Sequence, residues 1–149
     1  MKRGWIISVV GLLLCSCIGK NSNPSENQTI FTGETGEIKL NVLAPGHFHA
    51  NLLQKSAIPQ VNDSVFVYAA TKDAGLEQYF DAIHSFNQRD TDPTRWEGTI
   101  YTGEDFLERM IAKKKGNVVV LAGNNRDKTE YILAAVDAGL HVLSDKPMA

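Results

Sequence analysis

The sequence has almost no cysteine: Cys15 and Cys17 are the only two among 149 residues. No disulfide framework can hold the remainder of the chain, so its core must come from apolar burial. Basic clusters are scarce as well. Apart from Lys113, Lys114 and Lys115 no dense run of cations occurs, and the formal net charge is -2, a balance that argues against nucleic-acid binding. The longest apolar run, Trp5 to Leu14, is too short to span a membrane as a helix. What remains is an ordinary globular composition, 43% hydrophobic and 21% charged, with enough length for one core.

Lys2 and Arg3 precede that apolar run, which is the charge and length pattern of a secretory signal. A buried amphipathic N-terminal helix is the alternative. Leu14-Cys15-Ser16-Cys17 resembles the bacterial lipoprotein lipobox. That resemblance implies removal of residues 1–16, a lipid on Cys17, and anchoring in the bacterial cell envelope on the periplasmic or outer face. Residues 17–37 are rich in Gly, Asn, Ser, Thr and Glu and include Pro24, a composition that predicts a flexible tether.

From residue 38 onward the apolar pattern predicts alternating strands and helices. Ile38 to Leu43 reads as a strand, Ala44-Pro45-Gly46 as a turn, and Ala50, Leu53 and Ala57 as a short helix. Val65 to Ala70 is a buried strand, and Leu76, Tyr79, Phe80 and Ile83 form one face of a helix over Ala74 to Phe86. A polar loop from Asn87 to Trp96 leads to a short strand at Thr99 to Tyr101. Thr102 is expected to cap the following helix, with Asp105 three residues on, and Gly116 to end it. Val118 to Leu121 has the continuous β-branched character of a strand buried on both faces. Asn124 and Asn125 open a final helix that stops at Gly139, before a strand from Leu140 to Leu143. No hairpin signal intervenes, so the class is α/β, a Rossmann-like doubly wound parallel sheet over residues 38–149.

In such a sheet ligands bind where strands run out, which places Ser144-Asp145-Lys146-Pro147 at the functional edge. Pro147 disfavours helical backbone at Lys146 and should hold that residue extended, its ammonium facing the crevice.

Two stretches carry a family resemblance. The terminal AGLHVLSDKPMA is similar to the AGKHVLxEKPLA signature of the glucose-fructose oxidoreductase, inositol dehydrogenase and rhizopine-catabolism family (Gfo/Idh/MocA). LNVLAPGHFHANLL occupies the place of that family's first strand, glycine loop and first helix. The resemblance implies a Rossmann domain binding NAD or NADP, a second α/β domain binding a sugar or polyol, and a role for Lys146 beside the nicotinamide and substrate. By the same route Gly46, His47, Phe48, His49, Asn124, Asn125, Asp145, Lys146 and Pro147 become candidate cofactor-binding residues, with Lys146 also catalytic. A cation near a carbinol can orient the hydroxyl and stabilise developing negative charge.

The sequence departs from the family pattern at several positions. Of G-x-G-x-x-G only the middle glycine, Gly46, remains, and His49 replaces the third. Backbone N–H groups of Phe48, His49 and Ala50 could still receive phosphate at a helix start. No acid stands directly at the end of the second strand; Asp73 is the nearest candidate for a ribose hydroxyl, and Lys72 for a 2′-phosphate. In the family's P-N-x-x-H turn Asn125 is retained and Lys128 replaces His. Asp145 stands where the family has Glu.

His47 and His49 have the spacing of an H-x-H metal pair, yet no carboxylate or cysteine sits beside them in sequence, so no metal is expected. The chain ends where family members begin their second domain, so it reads as the N-terminal part of a longer lipoprotein oxidoreductase. The alternatives are an NAD-dependent glycosidase, or a lipid-anchored carbohydrate-binding or scaffold protein that kept the fold and lost the cofactor. A sugar or polyol substrate and the membrane are the expected partners, and a homo-oligomer is left open.

Overall fold

The computed structural model describes residues 30–145; Cys17 and the leader, and Lys146 and Pro147, lie outside the described residues. Five strands, β1 (Ile38–Leu43), β2 (Val61–Ala69), β3 (Glu97–Thr102), β4 (Val118–Leu121) and β5 (His141–Ser144), form one sheet in the order β3-β2-β1-β4-β5. Every neighbouring pair is parallel. The central strands are the ones with the longest apolar runs. Leu40, Val42, Leu43, Val67 and Val119 are fully buried, because a parallel sheet covered on both faces leaves its middle strands no wet side.

Helix α1 (Ala74–Gln88) and a 3-10 helix (Phe48–Lys55) cover one face. Helices α2 (Phe106–Lys113) and α3 (Asn125–Asp137) cover the other. Leu76, Tyr79 and Ile83 of α1 pack on Val65 and Val67; Met110 of α2 and Ala135 of α3 pack on Tyr68 and Val119. Successive strands run outward from β1 to β3, and the chain then returns to place β4 on the other side of β1. That reversal makes the β1–β4 junction the topological switch point, where an open α/β sheet forms its ligand crevice.

Several expected boundaries differ. The first helix is a 3-10 helix and excludes Ala57: Ser56 is already extended, and the Gln54 carbonyl, which would carry the helix on, is taken by a tertiary contact. The Trp96 indole N–H donates to the Gln54 carbonyl at 2.5 Å, and the Tyr79 hydroxyl donates to Gln54 Oε1 at 2.5 Å. Tertiary anchors thus hold a tight turn geometry that rarely persists unaided. Thr102 does not cap α2: it ends β3, and the N-cap position falls to Asp105, whose carboxylate is turned to Arg109. Gly116 does not end that helix either. Lys114 takes left-handed backbone (φ 43°) and donates its N–H to Met110 O, while Gly116 N–H goes to the buried Asn41 side chain. Gly139 does close α3, with φ 78° and an N–H bonded to Val136 O.

The Gln54 anchor is testable. Burial pushes the Tyr79 phenol well above its ordinary value, and its hydroxyl donates to a Gln54 side chain whose Nε2 has no partner among the described residues. Tyr79→Phe leaves Oε1 unpaired too, so urea unfolding should show a loss of about 1–3 kcal/mol.

Candidate functional site

At the carboxyl ends of β1, β2 and β4 lies a cleft of ≈ 200 Å³, walled by Gly46, Ala70, Asp73, Gly123, Asn124 and Lys128. The loop after β1 is bent into place by Ala44, a non-glycine residue with φ 46°, whose N–H donates to Tyr68 O at 2.8 Å. The N–H groups of Gly46 and His47 both donate to Ala122 O, at 3.2 and 3.1 Å, and stitch this loop to the end of β4. Backbone meets backbone here. A Cβ on Gly123 would sit 2.4 Å from the Ala44 carbonyl oxygen, and neither side has a flexible tip that could yield. Gly123→Ala should therefore lower the thermal midpoint, with a cost of about 1–3 kcal/mol for forced overpacking.

Two of the three backbone donors expected to face a phosphate are already used. Ala50 N–H donates to His47 O at 2.9 Å and His49 N–H to His47 Nδ1 at 3.4 Å. His47 is thus the N-cap of the 3-10 helix. Gly46 lines the cleft; His47 and Phe48 are exposed beside it.

Asp73, the nearest acid to the end of β2, caps α1 by accepting the Leu76 N–H at 3.0 Å and also lines the cleft. Asn124 rather than Asn125 is the cap of α3, accepting the Arg126 N–H at 3.0 Å. Asn125 is the first helical residue and is exposed.

The sequence positions that depart from the family pattern meet in space. Lys128, only 2% exposed, donates from Nζ to Asp145 Oδ1 at 2.5 Å and to the Asp145 carbonyl at 3.2 Å. The other carboxylate oxygen, Oδ2, lies 3.1 Å from His49 Nδ1. Burial pushes the Asp145 carboxyl up, but the hydrogen bonds from Lys128 and His49 outweigh it and leave the group below the ordinary aspartate value. This bridge joins α3 and the end of β5 to the 3-10 helix, 96 residues away in the chain.

Sequence reasoning treated Lys128 only as a lost histidine. The overlooked signal was its position: with Tyr131 and Ala135 it falls at i, i+3 and i+7, on the stripe that α3 turns toward the sheet. A charge on that stripe needs a partner.

A second, more open groove of ≈ 490 Å³ runs along the β4–β5 side of the 3-10 helix, walled by Leu52, Leu53, Val120, Ala122 and Leu143, with His49 and Asp145 among its polar groups.

The arrangement has a counterpart among solved structures. Over 80% of its length the chain is similar, at 54% identity and a TM-score of 0.78, to the crystal structure of a Parabacteroides merdae protein provisionally named an oxidoreductase. Neither a protein-family model nor a curated protein sequence matches the chain. The chain spans 27% of the length of that Parabacteroides merdae protein, so the likeness covers one Rossmann-like α/β domain of a longer molecule.

Proposed function

We propose that this chain is the nucleotide-binding domain of an NAD(P)-dependent oxidoreductase that acts on a sugar or polyol and is held at the bacterial cell envelope by a lipid on Cys17. The supporting observation is the 54% identity with a protein named as an oxidoreductase, extending across a switch-point cleft of the kind that takes nucleotides.

The residues present fit a nucleotide in part. Asp73 lines the cleft and offers carboxylate oxygen to a ribose hydroxyl, while Gly46 and Gly123 keep the cleft wall free of side chains. The fit is poorest for the pyrophosphate, since Gly46, His47, His49 and Ala50 direct their N–H groups inward. A nicotinamide bound there would supply a hydride acceptor or donor. This chain's own contribution is orientation: Lys128 and His49 fix the carboxylate of Asp145, the residue before Lys146, and so set the path of the chain at the strand end. Lys146 would then hold the substrate hydroxyl and stabilise negative charge on its oxygen.

Calorimetric titration of the complete protein with NAD and with NADP tests this reading. Saturable heat with one of them is the expected result, and no heat with either would refute it. The inward-turned N–H groups favour one competing reading, a lipid-anchored carbohydrate-binding or scaffold protein that kept the fold without the cofactor. That reading predicts binding of sugar and not of nucleotide. An NAD-dependent glycosidase remains within the first reading and is separated from it by release of a cleaved sugar.

A further inference from the structure

We propose that His47, His49 and Asp145 bind one divalent transition-metal ion of the Zn2+ class. The fold supplies what the H-x-H spacing lacks. Asp145, 96 residues from His49 in sequence, comes in from the end of β5 with Oδ2 at 3.1 Å from His49 Nδ1. One ligand atom from each of the three side chains lies within 4.8 Å of the others. Two imidazoles and one carboxylate are the donor set of open zinc sites, which keep a position for water or another ligand.

The carboxylate is held for this task. Buried Lys128 engages Oδ1 and the adjacent carbonyl and leaves Oδ2 facing the imidazoles. Ligating carboxylates are commonly oriented by an outer hydrogen bond of this sort. The geometry needs only side-chain rotation to close. Ligand bonds near 2.1 Å place tetrahedral donors about 3.4 Å apart, so a pair at the 4.8 Å limit must approach by about 1.4 Å. His47 is exposed and its ring, 4.4 Å from that of His49, has room to turn.

Histidine is also a poor choice if capping were its purpose. Asn, Asp and Ser are the favoured N-cap residues, and the His47 cap is long at 3.4 Å. The nearby Lys128 ammonium adds positive charge, so an anionic oxygen donor, hydroxide or carboxylate, suits the open position. His49 and Asp145 also line the ≈ 490 Å³ groove, through which such a donor would arrive. None of the three ligands lines the ≈ 200 Å³ cleft, so metal binding and nucleotide binding can fail separately.

The test uses the full chain stripped with a chelator and titrated with Zn2+ by calorimetry and with Co2+ by visible absorption. One equivalent should bind with micromolar or tighter affinity, and Co2+ should give the intense bands of a four-coordinate nitrogen–oxygen site. His47→Ala should weaken binding by at least ~10–100-fold, while His47→Asn, which keeps a capping side chain at this exposed N-cap, should weaken it as much and leave the thermal midpoint of the metal-free protein near that of the parent. His84→Ala, an exposed histidine elsewhere, should leave affinity unchanged. Absence of stoichiometric binding, or equal affinity in His47→Ala and the parent, would overturn the proposal.

Discussion

Lys128→Ala is expected to lower the unfolding free energy by about 3–5 kcal/mol, the scale on which removing one partner of a buried ion pair destabilises a domain. Two losses coincide at this position. Loss of the aliphatic stem of Lys128 leaves a void beside Tyr131 and the cleft, and the mostly buried Asp145 carboxylate keeps only His49 among the described residues. The two can be separated. Lys128→Met retains most of the volume and removes the charge, so a destabilisation close to that of the alanine variant assigns the cost to the unpaired Asp145. Combining it with Asp145→Leu removes both charges, and part of the stability should return, since paired apolar replacements are often tolerated where single ones are not. Urea unfolding monitored by tryptophan fluorescence gives all three values. A loss below 1 kcal/mol in Lys128→Ala would mean that the bridge does not hold α3 to the strand end.

The second large effect concerns turnover. In the complete protein Lys146→Ala should reduce kcat/KM by about 10²-fold or more, the range associated with a lost acid–base or charge-stabilising group. Asp145, immediately before it in sequence, is fixed from both sides by Lys128 and His49. Stability should be unaffected, and nucleotide affinity should change less than turnover if the ammonium acts mainly on the developing charge. Lys146→Arg keeps a cation but cannot relay a proton near neutral pH, so a flattened pH profile in that variant identifies proton transfer as the lysine's task. Unchanged turnover in Lys146→Ala would return the residue to the solvated surface.

The sheet was legible because its signal is local. Val118 to Leu121 and Val65 to Ala70 announce buried strands by composition, although β2 itself starts earlier and stops one residue sooner, at Val61–Ala69; Gly139 marks a helix end by the backbone conformation it adopts. Boundaries failed where tertiary contacts compete with local preference. Gln54 gives its carbonyl to Trp96, 42 residues away, and the helix stops at Lys55. Thr102 has the residue type of a cap, yet pairing with Ala69 keeps it in β3.

The site divides along the same line. Gly46 and Asn124 were candidates through the family resemblance, and both line the cleft. The Lys128–Asp145–His49 bridge is invisible to spacing, because its members come from three elements and meet only when the sheet has formed. The same blindness explains why His47 and His49 appeared to lack a carboxylate.

Everything proposed for the reaction depends on where a dinucleotide lies. A crystal structure of the complete protein with NAD or NADP settles this. The expected result has the adenosine ribose against Asp73 and the chain crossing the ends of β1 and β4 toward Lys146. Dinucleotide bound away from that junction, or a junction filled by the protein's own side chains, would contradict it.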